Sequence, residues 1–387
     1  MIKTSENNLA VIAYTTLSTD SRVLKECYAA LEAGFKVDIY TLEHPENKNF
    51  PEFHIISSGK KQYKGNNKKL FIKAYLRFFL FCLISLTKNY FRKKYDVIHF
   101  NNMPNFLVFS SLVPKLLGAK IVLDIHDLMP EIFSAKFKMD RSNKLIKVLY
   151  LEERFSAKFA SEIISTNRFH TRRFRENGIK NKRITEIVNV ADHNVYYPSD
   201  GKMFDDEKLI IAYPSTIAKR LGIDTLIQAM ENICERKINM ELRIYGDGEY
   251  KKELYEIINK KNLNDFIRMS DSFVGMKELS KEMDEAHIGV IPLPYDPSND
   301  IAMPVKVYEY FAKKLCVVSS DLTLLKDYFD DKLVFFKAGD AEDLSEKLIR
   351  LYNDRGDLKN YAEKGYAHYS ERNWDYYKKK YQEILLG

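Results

Sequence analysis

The feature that most constrains this chain is an alternation that runs twice: short β-branched runs, each followed by a longer helical pattern, proceed through one half and then begin again. Alternation of this kind is the signature of parallel strands joined by crossover helices. In the first half Leu9–Tyr14, Lys36–Thr41, Val97–Phe100, Lys120–Ile125 and Glu162–Thr166 read as strands. Helices are expected over Arg22–Ala33, Lys69–Phe91, Asn105–Leu117 and Lys144–Phe159, with Gly34 and Gly118 as stops. After a polar stretch, Pro198 to Lys208, the pattern restarts with strands at Leu209–Tyr213, Glu241–Tyr245, Phe266–Met269, Ile288–Pro292, Leu315–Ser319 and Leu333–Phe336. The second set of helices is expected at Ile223–Glu235, Glu249–Lys261, Met276–Glu285, Pro304–Lys313 and Ala341–Asn353.

The pattern predicts an α/β protein of two Rossmann-like, doubly wound domains facing across a cleft: residues 1–198, residues 199–370, and a C-terminal helix, 371–387, packing back on the first. Ligands of such sheets sit beyond the carboxyl ends of the strands, so the cleft is the expected site. A length of 387 residues suits two domains, and 45% hydrophobic with 30% charged residues excludes a largely disordered or polytopic membrane chain. Lysine and arginine exceed aspartate and glutamate by 61 − 54 = 7, which suits phosphate-bearing ligands or an anionic membrane surface. No nucleic-acid module accompanies that excess, so no nucleic-acid partner is expected. Cys27, Cys82, Cys234 and Cys316 lie far apart without metal-ligand spacing and read as reduced core thiols. Together with the lack of a signal-peptide pattern before Leu9, they point to a cytoplasmic chain.

The most informative stretch is Pro294 to Lys314 (PYDPSNDIAMPVKVYEYFAKK), where a polar loop runs into a helix carrying Pro304, Lys306 and Glu309 in its first turns. A helix start offers unpaired amides and a positive dipole end, so the amides of Ala302, Met303 and Val305 would face a diphosphate without a metal. Lys306 would add a full charge, and Glu309 could accept two ribose hydroxyls. An ordinary capped amphipathic helix fits the same residues, and locally both readings stay open.

Pro-x-Lys-x-x-Glu-Tyr before a small-residue turn and a Val-Val-Ser strand resembles the donor loop of retaining glycosyltransferases of family 4, which have the GT-B fold. The resemblance implies a nucleotide-sugar donor held by the second domain and an acceptor, glycan or lipid-linked, met by the first, in cell-surface polysaccharide biosynthesis. It gives Glu309 the ribose. Glu309 matches the second glutamate of the family's pair; where the first, which contacts the donor sugar, would stand there is Ile301, so that carboxylate is either displaced to Asp300 or missing. Leu209 to Ala229 resembles the first βα unit of the family's donor domain, which assigns Lys219 and Arg220 to the donor phosphates. Leu242 to Gly248 (LRIYGDG) is similar to the strand whose Gly246 lets backbone approach the ligand, and Asp271 to Met276 to the loop that packs on the nucleobase.

In the first half, Lys120 to Phe133 ends a strand in Asp124, His126, Asp127 and Glu131. Asp124 and His126 share a strand face, and His126 corresponds to the family's histidine at the reaction centre. Asp124 and Asp127 are placed on the acceptor side, with Arg22 of the Asp-x-Arg-Val segment, whose Asp20 caps the following helix. His99 reads either as core or as a group supporting the site from behind. The resemblance implies transfer with retention, the leaving diphosphate being stabilised by Arg220, Lys306 and helix amides. No Asp-x-Asp stands at a strand end, Asp205 and Asp206 falling in the linker, so neither a metal nor another cofactor is expected.

Lys60 to Lys94 places AYLRFFLFCLISL among cations, with Arg77 interrupting it. It reads either as a helix lying on an anionic inner leaflet or as a buried helix with basic flanks, rather than as a membrane span. Two other classes share this architecture: a UDP-sugar 2-epimerase, for which His287 is the only histidine before the C-terminal helices of the donor half, and a catalytically degenerate scaffold.

Overall fold

The computed structural model describes residues 7–42, 50–60, 62–63, 68–137, 139–140, 142–199, 204 and 207–387. Asp205 and Asp206 lie outside them. The chain divides into two compact units, one comprising Met1–Asn189 with Tyr377–Gly387, the other Val190–Tyr376.

The first unit is built in chain order from β1 (Asn7–Ala13), α1 (Ser21–Glu32), β2 (Phe35–Thr41), β3 (His54–Ser57), α2 (Lys68–Lys93), β4 (Val97–Asn101), α3 (Leu112–Leu116), β5 (Lys120–Ile125), α4 (Met129–Phe137), α5 (Lys144–Phe159), β6 (Glu162–Ser165), α6 (Arg168–Glu176) and β7 (Arg183–Glu186). Its seven parallel strands run in the order β3-β2-β1-β4-β5-β6-β7. β1, β4 and β5 sit mid-sheet, covered on both faces, which is why they read as continuous apolar runs. The edge strands β3 and β7 carry no fully buried residue, so they leave no such run and the sequence did not reveal them. The helix expected over Asn105–Leu117 is a 3-10 segment, Asn105–Ser111, before the short α3, with the Ser110 and Ser111 hydroxyls bonded to carbonyls three residues back.

The second unit contains β8 (Leu209–Pro214), α7 (Ile223–Glu235), β9 (Met240–Tyr245), α8 (Lys251–Lys260), β10 (Ile267–Met269), α9 (Met276–Glu282), β11 (Ile288–Ile291), α10 (Val305–Ala312), β12 (Cys316–Ser320), α11 (Thr323–Phe329), β13 (Val334–Phe336), α12 (Ala341–Asn353) and α13 (Arg355–Glu371). Its sheet order, β10-β9-β8-β11-β12-β13, is all parallel and reverses direction between β8 and β11. That reversal opens a crevice beyond the carboxyl ends of those two strands. The core beneath it includes an apolar cluster containing Leu209, Ile211, Leu226, Leu242, Val290 and Val318.

The division falls earlier than the polar stretch at Pro198–Lys208. Residues 190–198 belong to the second unit because its elements hold them: Ser280 Oγ donates to the Val195 carbonyl (2.6 Å), and Tyr369 hydroxyl to that of Ala191 (3.3 Å). The last helix, α14 (Trp374–Leu386), ends in the first unit. There Tyr381 hydroxyl meets His99 Nδ1 at 2.9 Å and Lys120 Nζ donates to the Ile384 carbonyl at 2.6 Å. Cys27, Cys82 and Cys316 are buried thiols and Cys234 is half-buried, none in a disulfide.

Candidate functional site

A cavity of about 540 Å³ opens at the β8/β11 reversal, lined entirely by residues of the second unit. Two glycines allow its walls to close up. Gly246, at φ +152°, follows β9, and a Cβ there would collide with the Ser215 carbonyl. Gly222, at φ +79°, starts α7, and a Cβ there would collide with the carbonyl of Pro292 after β11. Only glycine permits both the dihedral and the approach.

The third wall is α10. Val307, Tyr308, Tyr310 and Phe311 bury its inner face. Phe311 meets Phe329 edge-on at 5.5 Å, and Phe329 meets His368 at 5.3 Å, which fixes the helix in place. The opposite side of the helix carries Lys306 and Glu309 into the cavity lining, together with Ala302, Met303 and Val305. Pro304 is the N-cap, so Val305 is the first helical residue. The amide of Ala302 donates to Asn299 O (3.2 Å) and that of Val307 to Pro304 O (3.1 Å). The Ala302 amide expected to face a ligand is therefore engaged in the preceding turn, while those of Met303 and Val305 have no backbone acceptor among the described residues.

Lys306 Nζ donates to Ser215 Oγ at 2.7 Å and lies 5.7 Å from the Tyr213 ring centre. Burial pushes its ammonium down to about 8, Glu309 opposing the fall and Arg220 adding to it. A cation held in a dry wall beside unpaired amides is a site that gains when an anion arrives. Phe273, Val274 and Met276 complete the lining, Phe273 being 75% exposed and so an open apolar platform.

The first unit gathers a polar cluster at the end of β5. His126 Nδ1 stands 3.4 Å from Asp124 Oδ2, and Asp124 receives Arg22 Nε at 2.6 Å. Burial works against charge on His126, but the Asp124 carboxylate raises it to about 9. Asp124, which burial alone would raise, is held well below the usual carboxylate range by Arg22 and His126. Asn102 organises the turn: its Oδ1 accepts the amides of His126 (3.2 Å) and Asp127 (3.1 Å), and its Nδ2 donates to the Asp127 carbonyl (2.6 Å).

Comparison with known proteins bears on what these sites serve. The family Glycosyltransferase Family 4 matches residues 21–195, and Glycosyl transferases group 1 matches residues 200–368. The chain belongs to glycosyltransferase family 4. It is a GT-B glycosyltransferase enzyme with two Rossmann-like domains, as the sequence predicts. It is 22% identical to chitobiosyldiphosphodolichol beta-mannosyltransferase of Kluyveromyces lactis, across 96% of this chain and 88% of that protein. Among solved structures it resembles sucrose-phosphate synthase of Thermosynechococcus elongatus (TM-score 0.77, 16% identity, 98% of both chains). It also resembles Anabaena HepE in complex with UDP (TM-score 0.72, 15% identity, 98% of this chain and 99% of that one).

In this family 4 glycosyltransferase Gly246, Ala302, Met303, Val305, Lys306 and Glu309 come together in one cavity. Lys219, Arg220 and Asp300 do not line it. Lys219 is turned to solvent, 3.7 Å from Asp224 and over the Tyr250 ring, because the 3-10 turn Lys219–Leu221 points its basic pair outward. Arg220 is exposed, yet near enough for its charge to act on Lys306. Asp300 Oδ1 accepts the Thr323 amide (2.8 Å), so the substitute donor-sugar carboxylate instead serves the start of α11.

The acceptor-side residues also separate. Arg22 is 5% exposed and Asp124 fully buried; Arg22 donates as well to the Ile187 carbonyl (3.2 Å), so the pair is an internal brace rather than a ligand contact. Asp20 caps α1 by accepting the Val23 amide (3.2 Å). Asp127 is half-exposed beside His126, and Glu131 is drawn into a buried ion pair with Arg173 (2.7 Å). Glu26, His99 and Asp124 bring ligand atoms within 4.8 Å of one another, but Arg22 is already the cation there, 3.4 Å from Glu26. His287 is buried with Nδ1 accepting the Ile210 amide, which removes the acid–base group an epimerase reading would use.

Two further groups were not legible in the sequence. Ser215 is Lys306's partner, and nothing in Pro-Ser-Thr announces it. In the first unit a cavity of about 580 Å³ lies beyond the carboxyl ends of β1, β2 and β3, lined by Tyr14, Leu42 and Ser58 from those ends and by Lys73, Arg77 and Phe81 of α2.

Proposed function

We propose that this glycosyltransferase moves a sugar, with retention of configuration, from a nucleotide-diphosphate donor to a glycan or lipid-linked acceptor in cell-surface polysaccharide biosynthesis. The chain works in the cytoplasm at the inner face of the membrane in this reading. The observation that carries it is the convergence of the Met303 and Val305 amides, Lys306 and Glu309 on one 540 Å³ cavity at the sheet reversal. The diphosphate sits at the α10 start, the ribose hydroxyls bond to Glu309, and the base rests on Phe273. Arg220, free to swing in from its exposed turn, adds charge as the leaving group departs.

His126 is the residue proposed at the reaction centre, with Asp124 holding it protonated. The cavity at Tyr14, Lys73 and Arg77 is proposed for an anionic acceptor. Because amides and Lys306 supply the positive field, no metal is required, and turnover should be unchanged by a chelator.

A thermal-shift screen with UDP-, GDP- and ADP-sugars, followed by product analysis, tests the proposal. One donor class should raise the melting temperature of the native protein and lose that effect in Lys306→Ala and Glu309→Ala. Unchanged binding in both variants refutes the donor site, and a product of inverted configuration refutes retention.

A further inference from the structure

Right-handed crossovers put α2, α3 and α5 on one face of the first unit's sheet, since each connects to a strand on the same side of its predecessor. The layer is continuous. Phe79 of α2 packs on Phe106 at 5.8 Å, Phe109 on Phe159 of α5 at 5.1 Å, and Tyr90 hydroxyl donates to the Leu117 carbonyl at 3.1 Å.

α2 is apolar on two opposite sides. Phe78, Cys82, Leu86 and Tyr90, spaced by four, are buried against the unit. Ile72, Leu76, Leu80 and Ile84, also spaced by four, are between 49% and 68% exposed. By length and composition alone 69–93 could cross a membrane, an 18-residue window within it having a mean hydropathy of 1.8. The buried stripe nevertheless ties it to the sheet as a surface helix. Its neighbours extend the apolar surface: Leu116 on α3 is 78% exposed, and on α5 Val148, Leu151 and Phe155 are exposed in turn. An exposed apolar field spread over three adjacent helices is unusual for a free surface.

What covers it is indicated by charge. α2 contains Lys69, Lys73, Arg77, Lys88 and Arg92 and no acidic residue. The exposed positions of α5 are otherwise lysines, Lys144, Lys147 and Lys158. Beside the C-terminal end of α5 a recess of about 630 Å³ is lined by Arg154, Lys158, Lys180 and Lys182; its one acid, Glu176, is paired with Arg172 at 3.0 Å. The Arg154 Nε in this recess is buried without a hydrogen-bond partner. Apolar side chains flanked by cations, on a face whose central helix has no acidic residue, match the interface of an anionic bilayer, with acyl chains beneath and phosphates around.

We infer that the α2–α3–α5 face docks this glycosyltransferase on an anionic phospholipid bilayer, the recess at Arg154 and Lys182 taking headgroup phosphate. This deepens the placement of the enzyme at the inner membrane face and is independent of the donor cavity. The experiment is co-sedimentation of the full chain with vesicles of phosphatidylcholine alone and with about one quarter phosphatidylglycerol, at low salt and at about 0.5 M NaCl. Binding should need the anionic lipid, fall by about tenfold in high salt, and fall similarly in Ile84→Glu/Leu116→Glu and in Lys158→Glu/Lys182→Glu.

Each variant should keep the wild-type melting temperature and its donor-induced shift, which separates loss of docking from loss of fold or of the donor site. Equal binding to neutral vesicles, or no binding to either, overturns the inference. So does a concentration-dependent dimer that the Ile84→Glu/Leu116→Glu pair dissolves, since a second copy would then be the occupant.

Discussion

Burial brings the Lys306 pKa down to about 8 in the free protein, so donor binding at the proposed site should be a proton-linked event. A diphosphate at the α10 start would favour the ammonium and raise that pKa, so binding takes up a proton. The sign follows: affinity is full below pH 8 and falls as pH rises through 8 toward the bound value. With a free pKa of about 8 and a bound lysine charged throughout, Kd should rise about fourfold between pH 7 and about pH 8.5, or ~0.8 kcal/mol. Calorimetry in buffers of different ionisation enthalpy should register about half a proton taken up per donor near pH 8. Lys306→Arg keeps its charge at every pH used and should flatten both effects, and the difference between the two proteins removes any contribution from titration of the donor itself. Affinity that is level from pH 7 to pH 8.5, or proton release on binding, would refute the reasoning.

Glu309→Gln removes the charge that supports protonated Lys306, so the pH at which donor affinity begins to fall should move below 8, as a binding series would register. Gly246→Ala forces a Cβ against the Ser215 carbonyl at φ +152° and should cost about 1–3 kcal/mol in urea unfolding, with weaker donor binding. Asp124→Asn takes the nearest counter-charge from the buried Arg22 guanidinium, leaving it the Ile187 carbonyl and Glu26, and should destabilise the fold by about 3 kcal/mol. In the same variant NMR titration of His126 should show its pKa falling from about 9, since Asp124 is what raises it. Because that pKa lies above the unfolded histidine value, the stabilisation His126 draws from Asp124 is lost as pH rises through about 9, while the depressed pKa of Asp124 makes the pair lose stability again as pH falls below the unfolded carboxylate range.

The periodicity of the chain was enough for the central architecture, because β1, β4, β5, β8 and β11 are covered on both faces and must be apolar throughout. The gathering of Met303, Val305, Lys306 and Glu309 on one cavity was legible for a similar reason: they lie within one loop and helix start, where sequence neighbours are neighbours in space. Residues whose roles depend on what comes from elsewhere in the chain were not legible. Asp300 is claimed by the Thr323 amide and Arg22 by Asp124, partners 23 and 102 positions away. Ser215 became Lys306's acceptor across 91 residues. Whether α2 is a core helix or a surface one could not be read from a segment apolar on both sides, since periodicity gives the stripes but packing decides which of them the sheet takes. Local chemistry thus specified the strands, the helix start and its charge, while tertiary structure decided which polar groups were already spent on the fold and which were left to meet a ligand.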